Sequence, residues 1–328
     1  MRTRQWLLNA LTAAILVTLG ACGGGGGDGG GGGGPTIDIT ATNRDAVAHA
    51  TVAGMVALNP LAMAPIGVGS SASTGLVSAW PTQLNTRLAK AWPQREAPQA
   101  VYGPTDVPCD ISGFMTVTYD DRDPPDLSVG DSITAVFHAC VDVPGETMNG
   151  TETMRFTQGS ESSFSAQITM TDYSYSSAKH SVTFNGRAVL DAAQQSASLF
   201  TTRATADGPI TVALSLAHLA YADTVTLLDG FVVDDTLDTS IGRTLSTGGG
   251  LLQSANAGGI VEMTTMADAP IAKYAVDAYP RAGTVQVKGV NSTLQMTVLS
   301  TSNVRLDLDA DGNGSFESTE TVPWDWLL

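Results

Sequence analysis

Asp307, Asp309 and Asp311 stand at alternate positions and run straight into Gly312-Asn313-Gly314. Carboxylates spaced two apart, on a chain that turns sharply at glycine, converge their oxygens. A hard cation such as Ca²⁺ needs that convergence, with several oxygens at about 2.3–2.6 Å. Counted from Asp307, the three aspartates take positions one, three and five of a calcium loop and Gly312 takes position six. Asn313 then offers its backbone carbonyl and Ser315 falls at position nine. Position twelve is Ser318 in place of the usual bidentate glutamate, with Glu317 and Glu320 flanking it out of register. Strand-like sequence surrounds the loop, so a helix-loop-helix arrangement is not expected. The competing reading is a plain β-hairpin turn, since Asp and Gly are also what such turns require.

Other catalytic chemistry has little to stand on. The four histidines, His49, His138, His180 and His218, form neither an HxxxH nor an HExxH pair. Gly67-Val68-Gly69-Ser70-Ser71 is a Gly/Ser loop and not a GxSxG nucleophile elbow. Phosphate-binding GxxxxGK[ST] and GxGxxG patterns after a strand are absent. A triad assembled in space from distant Ser, His and Asp is not readable from spacing. Asn149-Gly150-Thr151, Asn291-Ser292-Thr293 and Asn313-Gly314-Ser315 match the glycosylation sequon and read as turns.

The elements that would position these residues are mostly strands. From Cys109 onward the pattern has period two, punctuated by turn residues every ten or so positions. Phe114–Tyr119, Asp131–Cys140, Phe164–Tyr173, Ser196–Ala204 and Ile210–His218 are examples, and Gly283 to Trp326 reads as a compact meander. Asn149-Gly150, Asn185-Gly186 and Asp229-Gly230 repeat a hairpin signal. Sequential hairpins predict a mainly β fold, an antiparallel meander forming a curved or barrel-like sheet. A small N-terminal helical layer is expected over 41–95. Arg44 to Leu58 is Ala-rich, with Ala48, Val52, Met55 and Val56 on one face, and stops at Asn59-Pro60. Ser73 to Trp92 is a second candidate helix, with Trp80, Leu84, Leu88 and Trp92 in one stripe. Pro93 to Pro108 reads as an irregular boundary, and 96–328 as the β domain.

The chain carries a formal charge of −16. Without residues 1–21, which hold Arg2 and Arg4 and no acid, 14 basic side chains face 32 acidic ones, a charge of −18. That balance disfavours nucleic acid and anionic membrane surfaces as partners. A 43% hydrophobic content suits a packed core, and 6% aromatics suits strands and turns rich in small residues.

Residues 1–21 read as a signal peptide, with Arg2 and Arg4 ahead of an apolar Leu7 to Leu19. That run is short for a bilayer span, which takes roughly 20 residues. Leu19-Gly20-Ala21-Cys22 resembles the lipobox of bacterial lipoproteins at every position. The resemblance implies cleavage before Cys22, lipid on Cys22 and a membrane held through that lipid. Gly23 at the next position implies the outer membrane of a Gram-negative envelope. Gly23 to Gly34, broken only by Asp28, then reads as a flexible tether of roughly 20 Å root-mean-square span. With Cys22 assigned to lipid, Cys109 and Cys140 remain as an even pair in an oxidising compartment, which reads as a disulfide. Two free thiols are the alternative. A disulfide there contributes about 3–4 kcal/mol in the chain-entropy view.

Together, the lipobox, the Cys-bracketed segment 109–150 and the DxDxDG tail resemble uncharacterised proteobacterial lipoproteins, for which no activity carries over. The expectation is a lipid-anchored envelope protein acting as a structural or binding module, with calcium in the tail loop. A carrier or chaperone for an apolar ligand and a secreted hydrolase are the two other classes. The protein or small-molecule partner is not specified by the sequence.

Overall fold

The computed structural model describes residues 33–58, 100–121, 128–142, 144–159 and 163–327. Cys22, the tether to Gly32, the candidate helix Ser73 to Trp92 and most of the Asp120–Asp126 turn lie outside them. From Gly34 onward these residues belong to one compact unit.

Among the described residues seventeen antiparallel strands make one sheet. They are β1 Ala100–Pro108, β2 Ser112–Asp121, β3 Ser132–Val141, β4 Thr147–Gly159, β5 Ser163–Ser176 and β6 His180–Gln194. Next come β7 Leu199–Ala206, β8 Ile210–Leu216, β9 Tyr221–Leu227, β10 Val232–Asp238 and β11 Arg243–Ser254. The rest are β12 Gly259–Thr265, β13 Ile271–Tyr274, β14 Gly283–Lys288, β15 Thr293–Val298, β16 Asn303–Asp309 and β17 Ser318–Pro323. Among the described residues two α-helices accompany them, α1 Arg44–Ala57 and α2 Trp324–Leu327.

Long strands set the pattern. β6 pairs with β8 through His180–Asn185 and with β7 through Ala188–Gln194, so β7 and β8 are two halves of one rung. β9 and β10 share the next rung, which pairs with β11. β12 and β13 share the one after. The sheet is therefore a meander of fourteen rungs, each antiparallel to the next, as the hairpin pattern predicts. Of the irregular boundary read from the prolines at 93–108, residues 100–108 form β1, and 93–99 lie outside the described residues. Pro104 falls where the β1–β2 register slips between Tyr102 and Thr105, so the missing N–H breaks no ladder bond.

The Asn-Gly and Asp-Gly pairs do something other than close hairpins. Asn149-Gly150 lies within β4 and Asn185-Gly186 within β6, while Asp229-Gly230 joins the two halves of one rung. At each, the Asn or Asp side chain accepts the backbone N–H of a positive-φ residue on the preceding rung. Asn149 takes Ala139 N at 2.8 Å, Asn185 takes Asp172 N at 2.7 Å and Asp229 takes Gly208 N at 2.8 Å. Asn149 and Asn185 stand opposite two-residue bulges, His138-Ala139 of β3 and Thr171-Asp172 of β5. Asp229-Gly230 is the centre of a turn in which Phe231 N donates to Leu228 O. The three align rung after rung in one crease.

α1 packs against β8, β9, β11 and α2. Val47 through Gly54 are all buried, so the helix is enclosed on several faces and not covered on one stripe as the Ala48-Val52-Met55-Val56 reading implied. Small side chains make that enclosure possible. Leu214, Leu216, Val225, Leu227, Phe231 and Leu252 face it, each fully buried or nearly so. Burying such a side chain contributes about 1.5–3 kcal/mol. Ahead of α1, residues 36–39 are stapled to the sheet by Thr36 N to Ile260 O, Val290 N to Ile37 O and Ile39 N to Ser292 Oγ.

Candidate functional site

The loop between β16 and β17 contains the Asp-rich motif. Asp309, Asp311 and Glu317 each place a carboxylate oxygen within 4.8 Å of the others. Asp309 is buried at the end of β16, and the other two are exposed. The loop folds around Asp309. Its Oδ1 accepts Asn313 N at 3.1 Å and its Oδ2 accepts Gly314 N at 2.9 Å. Asp311 Oδ1 also accepts Asn313 N, at 3.2 Å. Glu317 Oε2 accepts Ala310 N at 2.7 Å, closing the loop from the other side. Gly312 sits at φ +68°, where a Cβ would meet Asn291 O at 2.6 Å.

Asp307 takes no part in this cluster. It is buried within β16, where Arg305 Nε donates to its Oδ2 at 2.7 Å and Thr319 Oγ1 to its Oδ1 at 2.8 Å. Ser315 contributes its backbone N–H to Asn313 Oδ1 at 2.8 Å. Glu317, set aside in the sequence as out of register, joins the cluster. The register that fits the geometry starts two residues later. From Asp309 the chain reads Asp309-x-Asp311-x-Asn313-Gly314 and then, after five residues, Glu320, which matches the spacing of a calcium loop completely. Glu317 takes position nine and Glu320 position twelve. Glu320 lies on β17 and pairs with Arg44 Nη2 of α1 at 2.5 Å. Three carboxylates so close repel one another, and the N–H groups of Ala310, Asn313 and Gly314 offset part of that. The arrangement suits a hard cation taking the oxygens that remain.

Cys109 and Cys140 are joined, with Cα atoms 5.6 Å apart. The bond ties the β1–β2 turn to the end of β3. Asp142 is nearby, but disulfide sulfurs offer no thiolate to a metal.

Three of the four histidines gather at α2. His49 is buried between Tyr221 and Trp326, with ring centroids 4.4 and 4.5 Å away. Burial holds its imidazole below the usual histidine value, against the pull of the Leu327 carbonyl, Asp45 and Asp223. His180 is held low by burial, then by His218 and Lys179. Its Nδ1 lies 3.2 Å from Ser177 Oγ, a pairing that resembles a catalytic dyad. Ser177 Oγ, however, accepts Lys179 N and His180 N, both at 3.2 Å, and so closes the β5–β6 turn. His180 Nε2 has no hydrogen-bond partner among the described residues. His138 stands apart, stacked on Phe114 at 4.5 Å.

Two carboxyls at inward positions of the sheet were not singled out by sequence. Asp235 is buried, and desolvation, with a smaller push from Asp234, raises it to about 7 against the pull of the Ser246 hydroxyl. Desolvation also raises half-buried Glu152 to about 7. An acid at an inward position of a strand is the signal that marks each. On the solvent side of β5, β6, β7 and β10, Ser165, Asp191, Arg203 and Asp234 line an open groove of about 570 Å³.

No helix among the described residues is long and apolar enough to cross a membrane. No family model, no curated protein and no solved structure matches this chain.

Proposed function

We propose that the chain is a lipid-anchored protein of the bacterial cell envelope, held at the outer membrane through Cys22, whose β-sheet body is a structural or binding module and not an enzyme. The observation that carries this reading is the lipobox with a glycine tract after it that ends where the compact unit begins, at Gly34. The Cys109–Cys140 bond supports an oxidising compartment. Cys22→Ser is expected to move the protein from the membrane fraction to the soluble fraction. Intact mass of the wild-type protein is expected to show acyl chains on Cys22. A wild-type protein that fractionates as soluble and carries no acyl mass overturns the anchor.

We further propose that the β16–β17 loop holds a structural Ca²⁺ through Asp309, Asp311, Asn313, Glu317 and Glu320, leaving Asp307 in its ion pair. At a concentration 100-fold above Kd the ion stabilises the fold by about 2.7 kcal/mol. Calorimetric titration and thermal melting are expected to show that gain in the wild type and in Gln295→Ala, a change on β15 opposite Asp307 and outside the carboxylate cluster. They are expected to show its loss in Asp309→Asn. No heat and no thermal shift with Ca²⁺ overturns the site.

A further inference from the structure

Residues 36–39 fix the point at which the chain from Cys22 joins the sheet. Thr36 N donates to Ile260 O and Val290 N to Ile37 O, both at 2.9 Å, and Asn291 N donates to Asp38 Oδ1 at 2.6 Å. These partners lie at the end of the meander where the β11–β12, β14–β15 and β16–β17 connections close. Gly34 is three residues from Ile37, at most about 11 Å of chain.

Two large apolar side chains stand out from this end. Val290 of the β14–β15 turn is 54% exposed and Phe316 of the β16–β17 loop is 45% exposed. The two connections touch, since a Cβ on Gly312 would meet Asn291 O at 2.6 Å. Carboxylates beside them already accept backbone N–H groups: Asp38 from Asn291, Asp309 from Asn313 and Gly314, and Glu317 from Ala310. That eases their approach to a lipid surface, and the acidity of the chain favours a zwitterionic surface over an anionic one.

Chain length selects which end of the sheet meets that surface. By composition, the glycine tract 23–34 has a root-mean-square span of roughly 20 Å. Leu299 is also exposed, but it sits past the far end of β15, six residues from Thr293 and about 20 Å further on. An anchor on Cys22 holds Val290 and Phe316 within the span of the tether and Leu299 beyond it. At that range the surface is present at an effective concentration on the order of millimolar, so a weak apolar contact forms.

We propose that the end of the sheet built from the β14–β15 and β16–β17 connections docks on the bilayer that holds Cys22, with Val290 and Phe316 dipping into its zwitterionic surface. The docking rests on the lipid anchor proposed above. The end carrying Leu299 then points away from the membrane.

Acylated mature protein in phosphatidylcholine vesicles tests this. Phe316→Trp and Leu299→Trp place a reporter at each end, read as the difference from wild type. Phe316→Trp is expected to emit at shorter wavelength on the vesicles and to lose fluorescence to lipid brominated on its acyl chains. Leu299→Trp is expected to show neither change. Hydrogen exchange leaves the loops unaltered. Amides at 289–291 and 311–317 of vesicle-bound protein are expected to exchange more slowly than in soluble Cys22→Ser, with 299–302 unchanged. Quenching that is equal at the two ends, quenching or slowed exchange that is absent in protein floating with the vesicles, overturns the docking and leaves the anchor standing. Protein that does not float with the vesicles overturns both.

Discussion

Gly150→Ala is expected to lower stability by about 3 kcal/mol or more, because two penalties meet at one position. Gly150 sits at φ +93°, outside the conformations an L side chain adopts readily. A Cβ built there would lie 2.0 Å from Asp172 O and 2.7 Å from Tyr173 Cα. Those atoms are backbone of the facing strand β5, so no side chain can swing away to relieve the overlap. Asp172 is itself at φ +47°, its N–H held by Asn185. Moving it would disturb the next bulge along the crease. Gly230→Ala is the control. Gly230 has φ +79° and nothing within 4 Å of its would-be Cβ, so only the backbone preference is lost, about 1 kcal/mol. Denaturant midpoints of the two variants separate the effects. Equal, small losses would show that the facing strand shifts at little cost and that the crease is soft.

The crease also shows where sequence reading stops. Asn-Gly and Asp-Gly say that the chain visits positive φ, and both a hairpin turn and a bulge require it. Which one forms depends on what the rest of the rung pairs with. β4 and β6 are long enough to continue through the glycine because β5 and the β7–β8 rung continue beside them. That information is non-local. The mainly β meander was legible because alternation and turn residues recur along the whole chain, and the disulfide because two cysteines remain once Cys22 is assigned. In the tail loop, the acidic residues were legible but which of their carboxylates gather was not. Asp307 lies in the same alternating row as Asp309 and Asp311, and spacing alone accepts it. The fold separates them by giving Asp307 a cationic partner, Arg305, on its own strand. The approach of His49 and His218 to α2 left no trace in spacing, since one lies on α1 and the other in the β8–β9 turn, far apart in sequence.

Asp235→Asn is expected to stabilise the protein at pH 8 by about 2–4 kcal/mol and to change little near pH 4. Asp235 points inward from β10 between Val233 and Leu237 and is 2% exposed. It faces Thr202 of β7 on one side and Ser246 of β11 on the other. Thr202 Oγ1 has no hydrogen-bond partner among the described residues. Desolvation lifts the folded-state pKa from the usual 3.8 to about 7. Below about pH 4 the carboxyl is neutral in both folded and unfolded chains, and burial carries no charge penalty. Between about 4 and 7 the unfolded chain gives up its proton while the folded one keeps it, so stability falls as pH rises. Above about 7 the folded chain must hold a buried carboxylate, and the penalty is complete. An amide of the same shape carries no charge at any pH and can donate to the hydroxyls of Thr202 or Ser246. The stability difference between Asp235→Asn and wild type should therefore open between pH 4 and pH 7 and then level off. Urea melts at pH 4, 6 and 8 measure it directly. A variant less stable than wild type at pH 8, or a difference independent of pH, would mean that the charged carboxylate is compensated in the folded protein and that Asp235 is held there as an anion.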